Sequence, residues 1–371
     1  MNQGGNLHTD QSINQPIDQI TPRDLTAILG QDERAALALR ELYTAWGYQR
    51  WRVNDFEDYD LYVRNRDFLL SNGVLTFNDA NGKLKALKPD VTLSIVRHAP
   101  SAGGQLQRLH YHERVFRASP LGDGFEEITQ VGLECLGDIG LYETCEVILL
   151  AARSLSLMGE DYVVDISHMG LVAPFLASCP AGNAAALAVA DCLAHKNPDG
   201  IVKARDEFGL PDAWVRRALA LAAYCGAPED VLPAIAGTFP EPMYQDAIRE
   251  LEGVATALAS RDLKGRIQLD FSVINSASYY SGIVMRGYLP SIPTRILSGG
   301  RYDPLMRRLG RQDGAIGFAA YLDKLHAAPT GRGTAQVMTF SANEQPGDVL
   351  ARAEALAQAG GVRAVQEVRH G

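Results

Sequence analysis

Two runs of alternating apolar and polar residues, LQRLHYHERVFR (106–117) and EEITQVGLECLG (126–137), constrain this chain more than any other feature. A period of two is the pattern of a strand with one buried face. Only the loop ASPLGDGF separates the runs, which predicts a long antiparallel pair. Just upstream, LTFNDANGKLKAL places Asn81-Gly82 between alternating segments, the signal of a tight primed turn. Strands that follow one another this closely favour an antiparallel sheet with helices to one side over a βαβ repeat. The expected fold class is therefore α+β.

Other segments fill in this outline. Residues 22–46 predict a helix, with Thr21 or Asp24 as its cap and Ala36, Leu37, Leu39, Leu42 and Tyr43 at helical spacing. Gly47 stops it, and YQRWRV reads as a strand. TCEVILLAARSLSLMG predicts an apolar helix, and DYVVDISHMG a strand ending in a turn. From about Leu171 to Leu263 the chain is rich in Ala and Leu, with Pro and Gly breaks, and predicts several short helices. Strands return at GRIQLDFSVI and SGIVMRGYLP, and a helix near YDPLMRRLG. After Leu325 only 46 residues remain. There AAPTGRGTA is linker-like, and AQVMTF, GDVLARAEALAQAGG and VRAVQEV suggest a small β-α-β appendage. The expected organisation is a polar disordered tail over 1–21, a main domain over 22–325 with a helical insertion at about 171–264, and the appendage over 326–371.

Composition narrows the function classes. No run of 18 apolar residues predicts a membrane span, and the first residues lack the basic and apolar regions of a signal peptide. Lys and Arg number 35 against 44 Asp and Glu, a net charge of −9. Nucleic-acid binders usually carry a basic surplus, so the balance argues against DNA or tRNA as main partner. The five cysteines, at 135, 145, 179, 192 and 225, form no CxxC pair. Buried, reduced thiols in a cytoplasmic protein are the expected state. Phosphate-loop, GxGxxG, GxSxG and HExxH patterns are absent as well.

His110 and His112 share a strand face, but two ligands alone make no metal site. More informative are polar residues within otherwise apolar strands. Gln130 and Glu134 lie four apart in ITQVGLECLG and face one side of a strand. Asp90 and Thr92 alternate in the same way in LKPDVTL, and Arg117 ends HERVFR. Such a face is either a solvated outer surface or the floor of a polar pocket. As a pocket, its acidic members would hold an ammonium or imidazole, and its Arg a carboxylate or phosphate.

LTFNDANGKLKALKPDVTLSIVRHA, then VFRASPLGDGFEEITQVGLECLG, then YYSGIVMRGY and SGGRYDPLMRRLG, resemble in order and spacing the catalytic core of histidyl-tRNA synthetases. The resemblance spans most of residues 25–325. It rests on the F-x-D-x-x-G hairpin before a P-[DE]-x-T strand, FR…Q-x-G-x-E, YY-[ST]-G and GGRYD. It implies the class II synthetase-like antiparallel sheet flanked by helices, dimeric, with a helical insertion. By the same resemblance Asp90, Thr92, Arg117, Gln130, Glu134, Tyr279 and Tyr280 fall where synthetases contact histidine or the carboxylate it activates.

The chain also departs from that pattern. The second-motif loop of synthetases carries an arginine against triphosphate, and here Glu126 stands in GFEEITQ. The third motif's Glu-Arg is Asp323-Lys324, and the histidine-specific Arg before the paired tyrosines is Asn275. Phe-Glu after YYTG is Met285-Arg286, and the first motif's Pro is Asn54. An anticodon-binding domain needs about 100 residues, more than follow Leu325. A kept pocket with lost ATP and tRNA machinery resembles the regulatory subunits of ATP phosphoribosyltransferase, synthetase paralogues of histidine biosynthesis. This second resemblance implies no catalysis and no cofactor. It implies activation of a short-form catalytic subunit in a hetero-octamer built on homodimers, with feedback by L-histidine. Two other readings are a truncated synthetase-like enzyme that adenylates a small acid, and a stand-alone histidine-sensing module.

Overall fold

The computed structural model describes residues 29–66, 69, 73–100, 105–119, 124–274, 279–327, 336–341, 345–358 and 362–368. The polar tail over 1–21, the cap candidates Thr21 and Asp24, Asn275 and most of the linker-like stretch lie outside them. The chain divides into two compact units, one ending at Leu325 and the other starting at His326.

The first unit is built on a nine-stranded sheet. Its strands, in chain order, are β1 (Gln49–Arg50), β5 (Gln107–Ala118), β6 (Phe125–Gly137), β7 (Val163–His168), β8 (Cys225–Gly226), β9 (Ile267–Asp270), β10 (Ile283–Tyr288), β11 (Leu297–Arg301) and β12 (Gly314–Tyr321). They lie side by side as β1-β5-β6-β12-β11-β10-β7-β9-β8. Pairing is antiparallel except at β1–β5 and β7–β9, so the sheet is mixed rather than wholly antiparallel. As the alternating runs predict, β5 and β6 pair antiparallel along their length, from Gln107 opposite Leu136 to Ala118 opposite Phe125.

Helices cover the sheet. α1 (Gln31–Ala45) starts at Gly30, whose N–H donates to Glu33 Oε2 at 2.7 Å, a carboxylate return onto the helix start. It ends before Gly47, whose φ of +82° suits glycine. α4 (Leu141–Met158) buries Val147, Ile148, Leu150, Ala151 and Leu155 in the main core. A second sheet orders β2 (Phe56–Asp58), β4 (Leu84–Leu87) and β3 (Thr76–Asn78), with the short helix α2 (Tyr59–Arg64) directly after β2 in the chain. The β3–β4 loop is wider than the two-residue turn expected. Asp79 Oδ1 accepts the N–H groups of Asn81 and Lys83, both at 2.9 Å, and this side-chain cap sustains a longer loop around Gly82.

The helical stretch forms as expected. β7 runs straight into α5 (Met169–Ala177) rather than ending in a turn, because His168 Nδ1 accepts the Gly170 N–H and caps the helix. There follow α6 (Asn183–Ala194), α7 (Pro198–Phe208), α8 (Asp212–Ala223), α9 (Pro228–Thr238) and α10 (Pro242–Leu258). Their core stacks Trp214 on Phe175, with ring centroids 4.6 Å apart, and lays the Arg217 guanidinium over Phe239 at 4.5 Å. α11 (Asp303–Arg308) completes this unit's helices, and a 3₁₀ turn, Leu322–Ala327, runs across its end at Leu325. Among the described residues no helix is long and apolar enough to cross a membrane.

The second unit is the β-α-β that the sequence predicts. β13 (Gln336–Ser341) and β14 (Val362–Val368) pair in parallel, joined through α12 (Pro346–Gln358).

Candidate functional site: a polar pocket on the central strands

The hollow arises from small residues on neighbouring strands. Gly317 of β12 lies opposite Glu134 of β6, and Ala319 opposite Gly132. On the next strand Ser298 lies opposite Ala319 and Gly300 opposite Gly317. A side chain at Gly317 would overlap the Glu134 carboxylate, and one at Gly132 would overlap Phe318 O and the Tyr111 hydroxyl. Glycine is thus required by space at both positions, and at Gly132 this is the physical content of the glycine in Q-x-G-x-E. Gly299 and Gly300 serve close approach within β11, not a turn, since a Cβ on either would strike neighbouring backbone.

All seven residues singled out from the sequence line this one small pocket: Asp90, Thr92, Arg117, Gln130, Glu134, Tyr279 and Tyr280. Asp90 and Thr92 arrive by a different route from the one expected. They are not alternating strand residues. Asp90 is the cap of α3 (Val91–His98), its Oδ1 accepting the Leu93 N–H at 2.8 Å. An Asp three residues before a free N–H offers a cap that a strand would waste. Thr92 sits in the first turn and donates its hydroxyl to Glu134 Oε1 at 2.7 Å.

Glu134 is 1% exposed. Its other oxygen accepts the Tyr302 hydroxyl at 2.6 Å. Burial pushes this carboxyl up to about 8, the two hydroxyl donors working against the rise and the Asp90 charge adding to it. Burial raises Asp90 too, opposed by the Arg117 guanidinium, whose Nη2 stands 3.9 Å from Oδ2. Arg117 Nε donates to Pro89 O at 2.9 Å, which aims the guanidinium along the pocket. Gln130 is 2% exposed, and its Nε2 has no partner among the described residues. A buried amide donor left unpaired costs about 1–3 kcal/mol unless a ligand accepts from it. The Tyr279 and Tyr280 rings, 4.5 Å apart, form one wall.

Tyr111, Tyr302, Tyr321 and Ser298 also line the cavity and escaped the sequence reading as pocket residues. Tyr111 had a signal: it stands six residues before Arg117 on the same strand face. Tyr302 lies within GGRYD, where Arg301 Nε and Asp303 pair at 2.9 Å. Nothing in the sequence marks Tyr321 or Ser298.

The mouth differs from the floor. Glu126 stands opposite Arg117 across β5–β6 and is exposed. The Lys324 ammonium donates to Arg295 O at 2.8 Å and Thr294 Oγ1 at 3.1 Å. Burial pushes it down, with Arg295 and Arg117 in the same direction and Asp323 and Glu126 against it. Met285 is buried in the core, and Arg286 Nη2 donates to Ile274 O at 3.1 Å, bracing the segment that leads to the tyrosines. Asn54 is exposed.

His110 is buried and burial pushes it down, as it does the exposed His112. His168 Nε2 meets Glu250 Oε2 at 2.9 Å. Among the described residues no three His, Cys, Asp or Glu groups converge as a metal site.

With the geometry in place, the comparisons follow. A family model described as histidyl-tRNA synthetase matches residues 24–325. An ATP phosphoribosyltransferase regulatory subunit from Moorella thermoacetica is 27% identical over 314 residues, covering 83% of this chain and 79% of that protein. Among solved structures, an ATP phosphoribosyltransferase regulatory subunit/histidyl-tRNA synthetase from Bacillus halodurans superposes with a TM-score of 0.73 at 24% identity, over 98% of this chain and 94% of that one. A chain of the ATP phosphoribosyl transferase (HisG:HisZ) complex from Thermotoga maritima gives a TM-score of 0.62 at 18% identity, over 77% of this chain and 96% of that one. At these identities the two structures speak for the fold, which is the class II synthetase-like one.

Proposed function

We propose, on the premise that this chain belongs to the histidyl-tRNA synthetase family, that it is a non-catalytic regulatory subunit of ATP phosphoribosyltransferase. It works in the cytoplasm, in the first step of histidine biosynthesis. It activates a short-form catalytic subunit, with which it assembles as homodimers in a hetero-octamer, and takes part in feedback inhibition by L-histidine. It reads no tRNA.

The observation that carries this reading is the contrast between pocket and mouth. The floor keeps Arg117 for a carboxylate, Gln130 with a free donor, and the acidic pair Asp90 and Glu134 for cationic groups. A free amino acid with a polar ring brings a matching carboxylate, ammonium and acceptor nitrogen. At the mouth Glu126 stands opposite Arg117, where the resemblance implies an arginine against triphosphate, and like charges repel. Lys324 is held by backbone and hydroxyl acceptors and lacks the planar fork of arginine. The relatives' names support the same reading.

For feedback, histidine must bind two states of the assembly with different affinity, and the effect must be reciprocal between sites. Titration of L-histidine into the chain, beside an Arg117→Ala/Glu134→Ala variant, tests the pocket. Binding by the parent and at least a hundredfold loss in the variant are expected. Assays of the short catalytic subunit with and without this chain test activation, and unchanged activity would sink the regulatory reading. Arg117 also favours a second reading, an enzyme that adenylates a small acid. Amino-acid-dependent exchange of pyrophosphate into ATP would establish it.

A further inference from the structure

α3 and α11 each run away from the polar pocket, which holds Asp90 and Thr92 at the start of one and Tyr302 just before the other. Their far ends meet the end of α2 around a separate groove of about 760 Å³, which Arg97 and His98 of α3, Arg308 of α11 and Arg64 of α2 help to line. Three carboxylates line it as well, and each already has a basic partner. Glu57 Oε1 meets His98 Nε2 at 2.7 Å. Asp58 lies between the Lys83 ammonium at 2.7 Å and the Lys85 ammonium at 2.5 Å. Asp60 Oδ2 faces Arg64 Nη2 at 3.6 Å. Arg97 and Arg308 are left over. Both are exposed, and among the described residues no carboxylate pairs with either.

Basic residues in a last helical turn ordinarily complement the helix dipole and its free carbonyls. Here other groups already take much of that role. Arg311 Nη1 donates to Val96 O at 3.3 Å and to Ala99 O at 2.9 Å, at the end of α3. The Arg311 backbone N–H donates to Met306 O at 2.9 Å in α11, and Arg308 Nη2 donates to Arg64 O at 3.1 Å. The Arg97 side chain makes no hydrogen bond or ion pair among the described residues. We propose that this groove binds the phosphate group of a small molecule, with the Arg97 and Arg308 guanidinium groups as its anchors. Two unpaired cations call for two negative charges. A phosphate monoester carries about −1.5 to −2 near neutral pH, whereas a lone carboxylate carries one. The planar guanidinium fork also matches phosphate oxygens two at a time. Leu61 and Leu309 offer apolar wall to the organic body of such a molecule, and the volume is that of a small-molecule site. The inference does not depend on what the polar pocket binds.

The probe is phenyl phosphate, titrated calorimetrically into the full chain at low ionic strength and about pH 8, where the phosphate is a dianion. One site per chain is expected, weakening as salt is added. Affinity is expected to fall at least about tenfold in Arg97→Gln/Arg308→Gln. Arg97→Lys/Arg308→Lys keeps the charge but loses the fork, and is expected to lie between that variant and the parent. Arg307→Gln removes an exposed cation of the same helix that does not line the groove, and is expected to bind as the parent does. Benzoate, with one carboxylate on the same ring, is expected to bind at least about tenfold more weakly than phenyl phosphate. Circular dichroism checks that each variant keeps the parent fold.

Absence of phenyl phosphate binding overturns the inference. So does binding that survives in Arg97→Gln/Arg308→Gln, and so does an equal loss in Arg307→Gln, which would reduce the effect to general positive charge. Binding lost in Arg117→Ala and kept in the groove variant would place the anion in the polar pocket instead. Benzoate binding as tightly as phenyl phosphate, with the same dependence on the two arginines, would make the groove a carboxylate site and refute the phosphate assignment.

Discussion

Two buried ionisable clusters flank β5, and they are built on opposite principles. In one, the Lys88 ammonium is 0% exposed and donates to Glu113 Oε2 at 2.7 Å, Asp55 Oδ1 at 3.0 Å and Val53 O at 3.2 Å. Every donor of that ammonium has an acceptor, two of them charged. In the other, Glu134 is equally buried and meets only hydroxyls. The first cluster is closed: it ties the end of β4 to β5 and to the stretch before β2. The second is open, because among the described residues no cationic group pairs with its carboxyl. A buried charge that is fully paired belongs to the architecture, whereas one left unpaired marks a place for something that arrives from outside.

The largest effect that separates the two is expected at Lys88. Lys88→Met leaves Glu113, whose side chain is 13% exposed, as a buried carboxylate with no partner ammonium. Breaking one half of such a pair costs about 3–5 kcal/mol. Urea unfolding at neutral pH measures it, with histidine binding retained in the folded fraction. A cost below about 1 kcal/mol would mean that the Lys88 cluster is as loosely held as a surface pair, and the contrast would fail.

A smaller effect is expected where the pocket depends on missing side chains. Gly317→Ala places a methyl against the Glu134 carboxylate and the backbone of β6. Forcing atoms into a filled site costs about 1–3 kcal/mol. Because Glu134 must move to make room, ligand affinity is expected to fall by more than the stability loss alone accounts for. Calorimetric titration beside thermal unfolding separates the two. Equal losses would show that Gly317 serves packing only.

The two clusters also differ in how far the sequence reveals them. The period of two in 106–117 and 126–137 exposes β5 and β6 and puts Gln130 and Glu134 on one face, but it does not say whether that face is solvated or the floor of a pocket. It misleads at Asp90 and Thr92, since a cap followed by a helical first turn mimics alternation over three residues. Lys88 gives no sign of burial in LKALKPD, because its partners Asp55 and Glu113 are distant in sequence and meet it only through the fold. Tyr321 and Ser298 join the pocket by sheet register between β11 and β12, a long-range property that local pattern does not encode. The parallel pairings of β1 and β9 stay hidden for the same reason.

The effect spread most thinly, over several pH units, is the dependence of stability on pH. The folded state holds Glu134 protonated up to about 8, whereas the unfolded chain releases that proton near the ordinary value of 4.5. Between these values the folded state binds more protons than the unfolded one, so stability falls as pH rises. The Glu134 contribution is complete below about 4.5 and is used up once pH passes about 8. Within that window its slope is at most about 1.4 kcal/mol per pH unit. Asp90, raised by the same burial, acts in the same direction, so the difference between the parent and Glu134→Gln isolates Glu134. The variant is expected to show a shallower fall from pH 5 to pH 8 and to exceed the parent in stability at pH 9, by chemical unfolding at each pH. Parallel curves for parent and variant would place Glu134 with Lys88, as a group already satisfied by its own fold.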